Sequence, residues 1–145
     1  MNEYIDINNL ANKNLKVLVV YSNSFMDTLF PVSLSSISGA IKDAGYKVEC
    51  FDTTFYPDQA DYKATSSDEK KTENLQVLPV NYEDVGIQPK QTDVFDDFRK
   101  KVIEYNPDLI GVSAVEPTFL LGINLLECVK DLKIPNIVGG VHAIF

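Results

Sequence analysis

Hydrophobic positions fall into short continuous apolar runs that alternate with stretches of three-to-four-residue period. Leu15 to Tyr21 is a β-branched run without alternation, the pattern of a strand covered on both faces. Ser22, Asn23 and Ser24 break it. From Pro31 the spacing changes, and Leu34, Ile37, Ile41 and Ala44 fall on one face of a helix that Gly45 is placed to end. Tyr46 to Asp52 reads as a second strand. Thr92 can cap the next helix, with Phe95, Phe98, Val102 and Tyr105 as its buried stripe. Asp93, Asp96 and Asp97 lead that helix and Arg99, Lys100 and Lys101 follow, an order that complements the helix dipole. Asn106-Pro107-Asp108 punctuates before a third strand, Leu109 to Ala114. Thr118 to Leu132 is a third helix with Leu125, Val129 and Leu132 inward, and Pro135 to Val138 a fourth strand.

Strands alternating with helices predict a doubly wound parallel α/β sheet, because right-handed crossovers make successive strands parallel neighbours. The expected arrangement is flavodoxin-like, with strand order 2-1-3-4 and a fifth strand expected beyond Phe145. Residues 1 to 14 are Asn-rich and read as a flexible lead-in, and residues 15 to 145 as one domain. Within it, residues 53 to 91 form a long insertion, broken by Pro57, Pro79 and Pro89, with Ser66 to Lys71 as its polar centre. Phe55, Tyr56, Tyr62 and Tyr82 point to a packing role; a surface loop with no role of its own is the other reading.

Composition narrows the partners. Thirteen Lys and Arg against 21 Asp and Glu give a formal net charge of −8, which disfavours nucleic acid and anionic membranes. No apolar run approaches the roughly 20 residues of a membrane-spanning helix. The amino terminus is too polar for a secretory signal, so the chain reads as cytoplasmic. Cys50 and Cys128 lie far apart in apolar segments and read as core filling rather than as a metal cluster.

Candidate chemistry follows from topology. Leu109 to Val115 and Ile134 to Gly140 each end in small residues, and open parallel sheets bind ligands outside the carboxyl ends of their strands. At the switch point of this strand order, Ser22 to Asp27 faces Ser113 to Thr118 across a crevice. A flavin phosphate would want a glycine-rich loop after the first strand, and Ser22-Asn23-Ser24 has no glycine. A phospho-accepting receiver would want an acidic pair there and an aspartate after the third strand, where the chain has Ser22-Asn23 and Ser113.

Ser113-Ala114-Val115, followed by Gly139-Gly140, resembles the Ser-x-Leu and Gly-Gly elements of cobalamin-binding domains, at the family's interval and with Val115 in place of leucine. The resemblance implies that Ser113 approaches the base of the cofactor's nucleotide tail, while Gly139 and Gly140 let its ribose and phosphate lie against backbone. The family's Asp-x-His-x-x-Gly element is absent, so a histidine from the loop after the first strand does not ligate cobalt. The texture of Lys16 to Tyr21, Ala44 to Val48, Asn106 to Ser113 and Val138 to Ala143 is similar to the amino-terminal domain of cobalamin-dependent radical S-adenosylmethionine proteins. That likeness implies cobalamin as the cofactor. It also implies a partner domain of the same polypeptide, carrying S-adenosylmethionine and an iron–sulfur cluster held by Cys-x-x-x-Cys-x-x-Cys, with methyltransferase or cyclase-like chemistry. By the same likeness His142, the one histidine, contacts the tail or the missing domain rather than cobalt. Glu116 either accepts a corrin amide or is a solvated loop carboxylate. Ser33, Ser35, Ser36, Ser38, Gly39 and Ala40 make the first helix rich in small side chains, either as room for a tail or for close packing on the sheet. The alternative function is a Rossmann-like interaction or scaffold domain that has lost cofactor binding, and a flavin enzyme is a third reading.

Overall fold

The computed structural model describes residues 14–23, 31–57 and 82–140. Four strands, β1 (Lys16–Tyr21), β2 (Lys47–Asp52), β3 (Leu109–Ser113) and β4 (Asn136–Gly139), form one sheet in the order β2-β1-β3-β4. Every neighbouring pair is parallel, as the flavodoxin-like expectation requires. Among the described residues three α-helices, α1 (Val32–Asp43), α2 (Val94–Tyr105) and α3 (Phe119–Cys128), lie in the connections. β1 is unalternating because it is central: Leu18 and Val20 pack with α2 and α3, while Val17 and Val19 pack with Leu34 of α1.

The two faces of the sheet are covered unequally. On one face α2 and α3 bury Phe98, Val102, Leu121 and Leu125 against Leu18, Val20, Ile110 and Val112. On the other face α1 lies over β1 and β2 and contributes a single buried residue, Leu34. Among the described residues no helix lies over the carboxyl-terminal half of β3 or over β4 on the α1 side: Leu109 packs beside Leu34, while Ile137 is 58 % exposed.

Several local expectations are corrected by this geometry. Ile37 and Ala44, expected on the buried stripe of α1, are exposed: the helix fully buries Leu34 alone, and Ala44 follows its last residue as the C-cap. Cys50 is exposed rather than core-filling because β2 is an edge strand of the described sheet, where its thiol lies 3.7 Å from the Ser38 hydroxyl. Asp93, not Thr92, caps α2, accepting from the amides of Phe95 and Asp96 at 2.8 and 3.0 Å. The third helix stops at Cys128, and a 3-10 turn over Lys130–Leu132 follows it. Arg99 ties that turn to α2 through a two-pronged contact with Asp131, at 2.7 and 2.6 Å.

Candidate functional site

The register sets one row across the carboxyl end of the sheet: Asp52 beside Tyr21, Tyr21 beside Ser113, and Ser113 beside Gly139. Side chains alternate along a strand, so Ser113 and Gly111 share the α1 face with Leu109, and Ile137 and Gly139 share it on β4. The Ser113 hydroxyl has no hydrogen-bond partner among the described residues, although its carbonyl accepts from Ser22.

The glycines of this region divide by cause. Gly140 has φ +122°, and a Cβ there would lie 2.0 Å from the Ala114 carbonyl oxygen. Both its conformation and its packing demand glycine. Gly122 of α3 is set by a close approach, since a Cβ would meet Val112 Cγ1 at 2.9 Å and Ser22 Oγ at 3.3 Å. Among the described residues Gly139 and Gly111 have neither reason: a Cβ on Gly139 meets none of them within 4 Å, and one on Gly111 meets Ile137 Cγ2 at an ordinary 3.9 Å. A glycine inside a strand costs about 0.5–1 kcal/mol relative to alanine. A strand glycine often marks a bulge, a tight bend or a place where a ligand or another backbone comes close, and β3 and β4 pair in regular register over Ile110–Ser113.

Around these glycines the surface forms a shelf. Ser38 of α1 faces Cys50 on the β2 side, so helical spacing turns Ile37, 46 % exposed, towards β3. Ile37 bounds the shelf on one flank, Gly111 and Ser113 form its floor, and Ile137 and Gly139 form its far side. A thin planar group with a polar edge suits this arrangement: the floor is without a side chain at Gly111, the walls are aliphatic, and the Ser113 hydroxyl projects from the same strand one step further on.

The remaining sequence-predicted residues are distributed around this shelf. Ser22 is buried beneath Gly122, and its amide and hydroxyl both donate to the Ser113 carbonyl, at 3.4 and 3.3 Å. It fastens strand ends from the opposite face. Asn23 is 3 % exposed; its amide donates to Thr53 Oγ1 at 2.7 Å and its side chain donates to Thr54 Oγ1 at 2.9 Å. Ala114 is buried and donates to the Gly139 carbonyl at 3.0 Å, while Val115 and Glu116 are exposed at the start of a short turn. Ser24 and His142 lie outside the described residues, as does most of the 53–91 insertion. Sequence reasoning missed Gly111, Ile137 and the Thr53–Thr54 pair. The sole signal for the first was a glycine interrupting the run from Leu109 to Val112.

A second concavity of about 440 Å³ lies between the edge of β2 and α2, lined by Phe51, Phe55, Tyr56, Lys90, Asp97 and Lys101 among others. The Tyr56 hydroxyl donates to Asp97 and accepts from Lys90 Nζ, each at 2.8 Å. Burial, and then the bond to Asp97, push the Tyr56 phenol well above its ordinary value, so it stays protonated at neutral pH. Thr92 also donates to Asp97, at 2.6 Å, and holds that carboxyl below its usual range together with Tyr56. These groups clasp the two ends of the insertion rather than forming a reactive centre. Among the described residues no group of three or more His, Cys, Asp and Glu could hold a metal ion, and no helix is long and apolar enough to cross a membrane.

The chain matches no protein-family model, no curated protein and no solved structure.

Proposed function

We propose that this domain binds a cobalamin by its nucleotide tail, laid on the β3–β4 shelf beside α1, with no histidine of the loop after β1 beneath the cobalt. The observation that supports this reading is the pair Gly111 and Gly139, which no turn or contact among the described residues requires, flanking a Ser113 hydroxyl without a partner among them. In this arrangement Ser113 hydrogen-bonds the base of the tail. Gly111 lets the base lie flat on the sheet, and Gly139 admits the ribose and phosphate to backbone distance. Ile37 and Ile137 exclude water from the two sides. Gly140 shapes the strand end behind the tail, and Ser22 and Asn23 brace it. The bound group would supply methyl transfer or related alkyl-cobalt chemistry, while the protein contributes placement.

The sequence resemblance extends the proposal to an accessory domain serving a radical S-adenosylmethionine domain of the same polypeptide, in the cytoplasm. S-adenosylmethionine and the iron–sulfur cluster belong to that partner domain. A second reading, an interaction domain without cofactor, draws on the exposure of Ile137, 58 %, since an exposed apolar strand residue suits contact with another chain segment as well as with a cofactor. Titration of the protein with hydroxocobalamin separates the two. The cobalamin reading expects the absorption spectrum to shift on binding and the shift to vanish in Ser113→Trp. A spectrum that stays that of free cofactor at near-millimolar protein, in both proteins alike, overturns it in favour of the interaction domain.

A further inference from the structure

We propose that Thr53 and Thr54 mechanically couple the Tyr56–Asp97 clasp to Asn23, so that the chain leaving β1 into the crevice loop is positioned by the base of the long insertion. The inference is independent of what the shelf holds.

The coupling is a series of hydrogen bonds, joined by the backbone of residues 53–56 and the Tyr56 ring, that runs from buried groups at Asn23 to a part-exposed clasp at Lys90 and Asp97. At one end, Thr53 Oγ1 grips the backbone of Asn23 from both sides, accepting from its amide and donating to its carbonyl, each at 2.7 Å. Thr54 Oγ1 receives the Asn23 side chain, and both its amide and its hydroxyl donate to Asp52 at the end of β2. In the middle, the Thr53 carbonyl accepts from the Tyr56 amide at 3.1 Å, which closes a tight turn over residues 53–56. At the other end, the Tyr56 hydroxyl is held between Asp97 and Lys90, and the Lys90 amide donates to the Phe55 carbonyl at 2.8 Å. Thr53, Thr54 and Tyr56 are all at most 2 % exposed. Water therefore does not substitute readily for a broken bond, and strain at one end is passed on rather than dissipated.

The consequence is that two segments distant in sequence share one mounting. The ends of the insertion are pinned together at the clasp, and the same turn fixes where the backbone leaves β1 beside the ligand-facing row. A partner or modification that strains the insertion at its base would thereby alter the crevice.

Amide hydrogen exchange of the full chain tests the link. In Tyr56→Phe the ring still fills its site but the hydroxyl is gone, and protection of the Asn23 amide should fall about tenfold while Val19 and Val20 of β1 stay within about twofold of wild type. Lys90→Met, altered at the exposed end of the clasp, should weaken Asn23 in the same direction. Thr53→Val should remove the protection outright, and adding Tyr56→Phe to it should change Asn23 no further. Unchanged Asn23 protection in both clasp variants overturns the proposal. So does a loss shared equally by Val19 and Val20, because that is global unfolding. A further loss in the double variant also overturns it, by showing that the effect does not run through Thr53.

Discussion

Gly140 presses against Ala114 so closely that a Cβ on it would lie 2.0 Å from the Ala114 carbonyl oxygen, whereas the adjacent Gly139 faces open space. The two glycines of one sequence motif therefore have different causes. Gly140 closes the end of the β3–β4 ladder and is required by the protein itself. Gly139 lies on the shelf, where no contact among the described residues requires it.

The pair predicts opposite effects on stability. Gly140→Ala must adopt a φ that side chains resist and displace backbone, a loss of about 2 kcal/mol or more. Gly139→Ala relieves the entropy of an unneeded glycine and should be neutral or stabilising by about 0.5–1 kcal/mol. Urea unfolding midpoints of the two variants, compared with wild type, read the difference directly.

Gly111→Val separates fold from function in the same way. The new side chain meets only Ile137 Cγ2 near its Cβ, at an ordinary 3.9 Å, and valine suits a strand, so stability should change by less than about 1 kcal/mol. Its methyl groups fill the floor of the shelf. Hydroxocobalamin affinity should fall at least about tenfold, which corresponds to about 1.4 kcal/mol. A variant that binds as wild type does would remove the ligand from this face.

Much of this fold was legible because the physics behind it is local. Leu15 to Tyr21 has to be central, since an unalternating run needs cover on both sides, and Gly45, at φ 88°, ends α1 where its spacing predicted. What was not legible depends on which neighbours a strand or helix meets. Cys50 and Ile37 carry buried-type side chains in periodic positions, but one sits on an edge strand of the described sheet and the other on an exposed helix flank. In the site, Ser113 and Gly139 could be paired from topology, yet the separation of Gly139 from Gly140 required knowing where the Ala114 carbonyl points. Ser22 and Asn23 were placed at the crevice by chain order alone. Their side chains turn into the protein, towards Ser113 and Thr54, for reasons that lie in the end of β2 and the start of α3.

Gly122→Ala sets helix propensity against packing. Alanine gains about 1 kcal/mol inside a helix, but its Cβ would lie 2.9 Å from Val112 Cγ1. Val112 is β-branched and held within β3, so it cannot swing aside, and overpacking of this kind costs about 1–3 kcal/mol. The variant should be destabilised, and Val112→Ala should rescue it. Thermal unfolding of the two single variants and the double variant should be non-additive in the favourable direction; simple additivity would mean that α3 shifts instead of clashing.

The pH dependence of stability should carry the mark of the clasp at both ends of the scale. Thr92, and then Tyr56, lower the folded-state pKa of Asp97. A group lowered in this way contributes stability that is present above its unfolded value, near about 4, and is lost as pH falls through the folded one. The stability advantage of wild type over Asp97→Asn should therefore be constant near neutrality and shrink below about pH 4. Tyr56 runs the other way. Its phenol is raised by burial and by Asp97, so the unfolded chain loses that proton first, and stability should decline above about pH 10. Tyr105, raised by burial and by Glu49, contributes to the same alkaline decline. Tyr56→Phe should flatten only part of it, and urea midpoints measured across the pH range should leave the Tyr105 share in place.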